Sequence, residues 1–418
     1  MNARYDKSLA HLKRARRVTP SASQTLSKRA ESFTENSYPC FLSHGEGAYA
    51  WDIDGNKYLD FICGLGCMTL GYTRQEIQSA VQHQVKEGIS FSLPTRLESQ
   101  IAERLVSLIP CAKQIRFTKT GSESCTGAAR IARMATGREV VLYCGYSGWH
   151  DGYTSSCEYH PGIPEDYGFY NIQFPYNDLE ALETELIDNE DCVGAVMMEP
   201  VLIEKPDLGY LAAVKDLAHR HGALLIFDEM VMSGRWAIAG GQEYFDVTPD
   251  LATYGKFLGN GMPLGCIAGS AELMKHAWVI SGTFGGETLS LAACDAVLDI
   301  YELEDPVATQ WQLGNRLWEG LQTIIGLSKV SAVLEGYPVH PRLRFLDDED
   351  RIQMSICLQE LAVEGILIHQ GGWNISAAMT EEDIDFALEK FELVLSGSFE
   401  KDRLRGLTYK DAIRSLSA

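Results

Sequence analysis

The sequence lacks any CxxC pair. Its eleven cysteines are scattered, and the closest two, Cys63 and Cys67, stand one residue too far apart for that redox or zinc motif. An odd cysteine count in a chain of 418 residues points to free, mostly buried thiols in a reducing cytosol rather than a disulfide framework. No group of His, Cys, Asp or Glu has metal-ligand spacing, so no metal is expected. Nor does any run approach the roughly 18–20 apolar residues of a membrane-spanning helix. Residues 1–17 hold Lys7, Lys13, Arg14, Arg16 and Arg17 with no apolar stretch behind them. That pattern is not a secretory signal; the expectation is a surface helix or arm on a cytoplasmic protein. Basic charge is scarce overall, with 36 Lys and Arg against 57 Asp and Glu and a net charge of −21. Such a field repels nucleic acid and anionic membranes, while leaving room for a local pocket that holds one phosphate. Internal repeats and low-complexity tracts are absent as well.

What is present is the composition of a soluble globular protein, 45% apolar and 22% charged, long enough for two or three packed domains. Three regions differ in texture. Residues 1–73 form an N-terminal segment in which Asp54-Gly55-Asn56 predicts a hairpin turn between two short alternating runs. Residues 74–305 alternate helical stretches with short apolar runs at 114–117, 140–143, 193–198 and 223–227. That alternation predicts an α/β domain with a largely parallel sheet buried on both faces. Residues 306–418 read as helices with a few strands and predict a smaller C-terminal domain.

Chemistry is expected at the strand ends. Phe117-Thr118-Lys119-Thr120-Gly121-Ser122 precedes an amphipathic run, and a glycine turn opening a helix offers backbone N–H groups and a dipole end to an anion. A plain N-cap gives the same pattern. Asp228 follows the apolar run 224–227; a carboxylate buried there needs a partner, which a protonated ring nitrogen would supply, although capping the next turn is the commoner reason for such an Asp. Lys256 lies in Thr253-Tyr254-Gly255-Lys256-Phe257-Leu258-Gly259, crowded by glycines in a segment of low charge. Most lone lysines are solvated, but a desolvated one has a lowered pKa and can form a Schiff base.

Taken in order, these pieces resemble the class III aminotransferases of the fold-type I pyridoxal-phosphate group, and within them the glutamate-1-semialdehyde aminomutase-like members. The resemblance runs from about Tyr38 to Ala387. It also rests on Met198-Glu199-Pro200, Phe227-Asp228-Glu229, Gly259-Asn260-Gly261-Met262-Pro263 and Gly282-Thr283-Phe284-Gly285-Gly286. It implies a large domain with a mostly parallel seven-stranded sheet flanked by helices, and a smaller α+β domain built from both termini. It implies that pyridoxal 5′-phosphate is held as a Schiff base on Lys256, which also carries the proton shift. Asp228 would bind the pyridine nitrogen, Tyr146 stack on the ring and Met230 pack on its other face. Gly121 and Ser122 would hold the phosphate, Thr283 would complete that site from the neighbouring subunit of a homodimer, and Glu199 would lie near the cofactor edge.

The departures fall on the substrate side. Ser147 stands where the family commonly has His, His44 where the aminomutase has a carboxylate-binding arginine, Leu65 where it has a pocket tryptophan, and Glu287 where the family has Asn. Losing a bidentate clamp disfavours a small amino-acid substrate. His150, near the ring stacker, and His369, in Gln370-Gly371-Gly372-Trp373, complete the candidate substrate residues; a structural hydrogen-bonding role is as natural for His150. The expectation is a transaminase that exchanges an amino group between a small-molecule donor and the aldehyde or ketone of a small polar acceptor, such as a sugar or biosynthetic intermediate. An intramolecular aminomutase shares every catalytic residue, and a non-catalytic relative is the more distant alternative.

Overall fold

The computed structural model describes residues 3–158 and 160–410. Residues 1–2 and 411–418, which belong to the first and third regions expected from sequence, lie outside the described residues. The chain divides into two compact units, one from the described parts of Met1–Arg74 and Ala308–Leu416, the other Gln75–Val307.

The first unit opens with the helix Asp6–Ala15 and the strands β1 (Leu42–Glu46), β2 (Tyr49–Asp52) and β3 (Lys57–Asp60). The turn between β2 and β3 is where Asp54-Gly55 predicts it. Gly55 has a φ of 95°, the left-handed region that a side chain disfavours. The Asp52 carboxylate gathers the turn by accepting N–H bonds from Asp54 and Asn56 and the Tyr58 hydroxyl.

The second unit carries β4 (Gln114–Thr118), β5 (Val140–Cys144), β6 (Asn171–Gln173), β7 (Val193–Met198), β8 (Leu224–Asp228), β9 (Leu251–Tyr254) and β10 (Gly265–Gly269). They form one seven-stranded sheet in the order β4-β10-β9-β8-β7-β5-β6. Pairing is parallel from β9 through to β6, and only β10 runs against its two neighbours. Every residue of β5 and β7 is buried, so these strands are apolar without alternation. Leu142, Val196 and Phe227 pack on one side with the helices Leu179–Asp188 and Tyr210–Arg220. Val141, Met197 and Ile226 pack on the other with the helix Gly121–Thr136. This is the fold-type I architecture, and it sends the carboxyl ends of β4, β5, β7, β8 and β9 to one edge, the usual place for ligands in open α/β sheets.

The chain then returns to the first unit with β11 (Ala332–Tyr337), β12 (His340–Phe345) and β13 (Ile366–Leu367). β11 and β12 form a hairpin, while β13 joins β3 in parallel and completes a four-stranded sheet. All eleven cysteines are free, and Cys192 alone is exposed. Among the described residues no helix is long and apolar enough to cross a membrane.

Candidate active site

Asp228 is the last residue of β8 and pairs in register with Thr253 of β9. Three residues past Thr253 the chain places Lys256 with a φ of 35°, a left-handed conformation that a side chain with a Cβ adopts only under constraint from its surroundings. Gly255 ahead of it packs against Met230: a Cβ there would lie 2.7 Å from the Met230 Sδ, which would have to shift. Lys256 itself is half-buried.

The Asp228 carboxylate is only 2% exposed. Its Oδ1 accepts the Met230 N–H at 3.0 Å and its Oδ2 accepts the Cys125 thiol at 3.2 Å. Burial, and after it the negative charge of Glu199, push the Asp228 carboxyl above the usual range, while nearby Lys256 pulls it back. Among the described residues the Met230 N–H, Lys256 and the Cys125 thiol oppose that rise.

The anion-binding candidate follows β4. Thr120 caps the helix Gly121–Thr136, its hydroxyl accepting the Glu123 N–H, while the Glu123 carboxylate reaches back to the Thr120 N–H. The cap leaves the N–H groups of Gly121 and Ser122 in the open first turn, where the helix dipole is positive. A Cβ on Gly121 would fall 2.9 Å from the Met230 Sδ, so Gly121 and Gly255 both lie against Met230. The Ser122 Oγ accepts the Trp149 N–H at 3.2 Å. The loop that supplies Trp149 presses close: a Cβ on Gly148, whose φ is 108°, would meet the Ser122 Oγ at 2.4 Å.

That loop leaves β5 and carries Tyr146. The Tyr146 N–H donates to the Glu199 Oε1 at 2.8 Å, and its ring meets Tyr153 edge-on at 5.4 Å. Glu199 sits directly after β7 and is 3% exposed. Gly145, with a φ of 89°, lets the backbone pass close to it. Ser147, next in the loop, is buried with a hydroxyl that has no hydrogen-bond partner among the described residues.

The remaining expected residues have other surroundings. His150 is half-buried, its Nδ1 3.0 Å from the Thr126 Oγ1. Thr283 is exposed beside Phe284, and among the described residues no hydrogen bond ties it to Gly121 or Ser122 of its own chain. The Glu287 carboxylate is taken up locally: it caps the helix Thr288–Glu304 through the Leu289 and Ser290 N–H groups and bonds the Lys119 Nζ at 2.7 Å. His44, Leu65 and His369 belong to the first unit. There His44 stacks on Trp51, Leu65 is half-buried with a φ of 64°, and the His369 Nδ1 accepts the Gly371 N–H. Two participants escape the sequence reading, Cys125 and Lys119. The only hint of the first is its place one helical turn after Gly121.

The profile of the class-III aminotransferases matches residues 31–392. The glutamate-1-semialdehyde 2,1-aminomutase of Methanothrix thermoacetophila is 34% identical over 394 residues, covering 86% of this chain and 91% of that protein. The 3-aminobutyryl-CoA aminotransferase of Cloacimonas acidaminovorans is 33% identical over 332 residues, 77% of this chain and 80% of the relative. Among solved structures, the PLP internal aldimine form of the FumI protein of Sphingopyxis sp. MTA144 superimposes with a TM-score of 0.87 at 24% identity, covering 94% of this chain and 96% of that one. A strand-edge site of this build on a fold-type I sheet defines a pyridoxal-phosphate transferase. The chain belongs to the class-III aminotransferase family.

Proposed function

We propose that this protein is a transaminase that moves an amino group from a small-molecule donor to an aldehyde or ketone of a small polar acceptor, with Lys256 as the covalent anchor of pyridoxal phosphate. The observation that carries the reading is the pairing of β8 and β9, which sets a buried Asp228 beside a lysine held at a φ of 35°. The residues fit the cofactor on chemical grounds. Asp228 is a buried carboxylate crowded by Glu199, and a protonated pyridine nitrogen would offset its charge. The open helix turn at Gly121 and Ser122 suits the phosphate. Tyr146 and Met230 supply the ring stacker and the apolar opposite face.

When bound, the cofactor supplies an electron-withdrawing ring able to delocalise the charge left at a substrate carbon after its proton is removed. The chain's own residues do the rest. Lys256 would hold the cofactor through its side-chain amine, and the same Nζ would carry the proton of the 1,3-shift. Asp228 would keep a proton on the ring nitrogen. Thr283, exposed next to Phe284 at 60% exposure, is a phosphate ligand given to a second copy across a homodimer interface. The free thiols support a cytoplasmic setting.

The test is the visible absorbance band of the purified protein with cofactor. It should bleach with borohydride, disappear in Lys256→Ala, and fall on adding the amino donor. An unchanged band in Lys256→Ala overturns the anchor. The identity to an aminomutase keeps a second reading in play, that amino transfer occurs within one molecule. Product formation from a single substrate with no donor selects that reading. A concentration-dependent dimer, with cofactor binding weakened in Thr283→Ala, tests the shared site.

A further inference from the structure

Cys125 lies on the helix Gly121–Thr136, one turn past Gly121, and is 2% exposed. Its Sγ stands 3.2 Å from the Asp228 Oδ2 and 3.5 Å from the Thr253 Oγ1. Thr253 is fully buried and is also the register partner of Asp228 across β8 and β9. The direction of the bonds follows from chemistry. An ionised carboxylate only accepts, so the single thiol proton must point to Asp228 and the Thr253 hydroxyl must donate to sulfur. Burial first, then the charge of Asp228, hold the Cys125 thiol well above its ordinary pKa, so it stays a neutral donor. With the Met230 N–H on Oδ1, each carboxylate oxygen is held by one donor of the chain.

We propose that Cys125 is a positioning residue for the cofactor: with Thr253 behind it, its thiol fixes the plane and favours the ionised form of the Asp228 carboxylate that meets the pyridine nitrogen. The link joins the helix whose first turn is read as the phosphate site to the strand read as the ring-nitrogen site, so one hydrogen bond sets the two ends of the ligand against each other. An inert core cysteine would contribute only volume. Here the nearest polar neighbour is instead the one carboxylate that the proposed function cannot do without, and the proposal rests on that reading.

Two measurements on wild type, Cys125→Ser, Cys125→Ala and Thr253→Val test it. The first is the pH titration of the Asp228 carboxyl in cofactor-free protein, followed by NMR with isotope-labelled aspartate and assigned by loss of the signal in Asp228→Asn. The second is the dissociation constant for pyridoxal phosphate. Cys125→Ala should raise the Asp228 midpoint and weaken cofactor binding about ten-fold, the scale of one hydrogen bond to a charged group. Cys125→Ser keeps a donor and should stay within about three-fold of wild type, with Thr253→Val between the two. An Asp228 midpoint unmoved in Cys125→Ala, or Cys125→Ser as impaired as Cys125→Ala, overturns the proposal. If the alanine variant does not fold, an Asp228 midpoint unmoved in Thr253→Val overturns it equally. Because the titration is read without cofactor, it stands apart from the anchor test: wild-type protein that fails to bind pyridoxal phosphate overturns the proposed function while leaving the thiol–carboxylate bond measurable.

Discussion

Lys119 and Glu287 meet at 2.7 Å, tying the residue just before the Thr120 cap to the capping residue of the helix Thr288–Glu304. The lysine also reaches the Pro263 carbonyl at 3.0 Å, and Ser290 adds its hydroxyl to the same carboxylate. Three segments near the strand edge are therefore braced by one ammonium group.

Burial alone would raise the Glu287 carboxyl, but the Lys119 ammonium and the Ser290 hydroxyl outweigh it and hold the group below its usual range. A depressed folded-state pKa contributes stability that is present above the unfolded value, near 4.5, and is lost as pH falls through the folded one. Lys119→Met should lower unfolding free energy by about 1–2 kcal/mol at neutral pH, between the values for exposed and fully buried pairs. Glu287→Gln should remove part of the acid-side decline. Denaturant melts between pH 3 and 7, about the range spanning these carboxyls, check both.

Glu229 gives the opposite slope. Its carboxylate accepts the Gly241 and Gln242 N–H groups, yet burial pushes it up to about 8. The folded chain thus holds a proton there that the unfolded chain releases near 4.5, so this contribution is complete below that value and is lost as pH rises toward 8. Glu229→Gln should flatten the fall in Tm between about pH 5 and 8, at the expense of one N–H bond worth about 1 kcal/mol. A Tm profile parallel to wild type would refute it.

Asp228→Asn should separate stability from function. The amide keeps an oxygen for the Met230 N–H and ends the repulsion with buried Glu199, so cofactor-free protein should melt at a higher temperature than wild type. The same change would remove the counter-charge proposed for the ring nitrogen, and turnover should drop by about 10²-fold or more. Calorimetry of the apoprotein and steady-state kinetics of the loaded enzyme read the two effects.

Gly148→Ala tests the approach of the Tyr146 loop to the helix start proposed to hold the phosphate. The new Cβ would lie 2.7 Å from the Ser122 Cα, and the φ of 108° is itself disfavoured for alanine. Unfolding free energy should fall by about 2 kcal/mol, and the affinity for inorganic phosphate should fall with it, which isothermal titration would measure.

The legible parts of this molecule were those that depend on local pattern. β5 and β7 are buried on both faces and so are continuous apolar runs, and Asp54-Gly55 marks its turn because few residues tolerate a φ of 95°. The antiparallel sense of β10 was not legible, since periodicity carries no direction. Asp228 and Lys256 were individually weak signals that gained force from order along the chain. Cys125 could not be found that way: it meets Asp228 across 103 residues, through packing of a helix on a sheet. Lys119 and Glu287 are 168 residues apart, and the negative charge that replaces the family's Asn turns toward the brace instead of standing free.

The pairing of Asp228 with Thr253 has a consequence for how this chain can change over time. A strand advances about 3.3 Å per residue and reverses its faces at each step. A one-residue insertion or deletion within β9 would therefore carry Lys256 away from the position proposed for the cofactor anchor and turn it to the other side. The ladder between β8 and β9 acts as a fixed ruler, and length variation in descendants of this sequence should collect in the connections, leaving the short step from Thr253 to Lys256 untouched while loops, including the one between β8 and β9, grow and shrink.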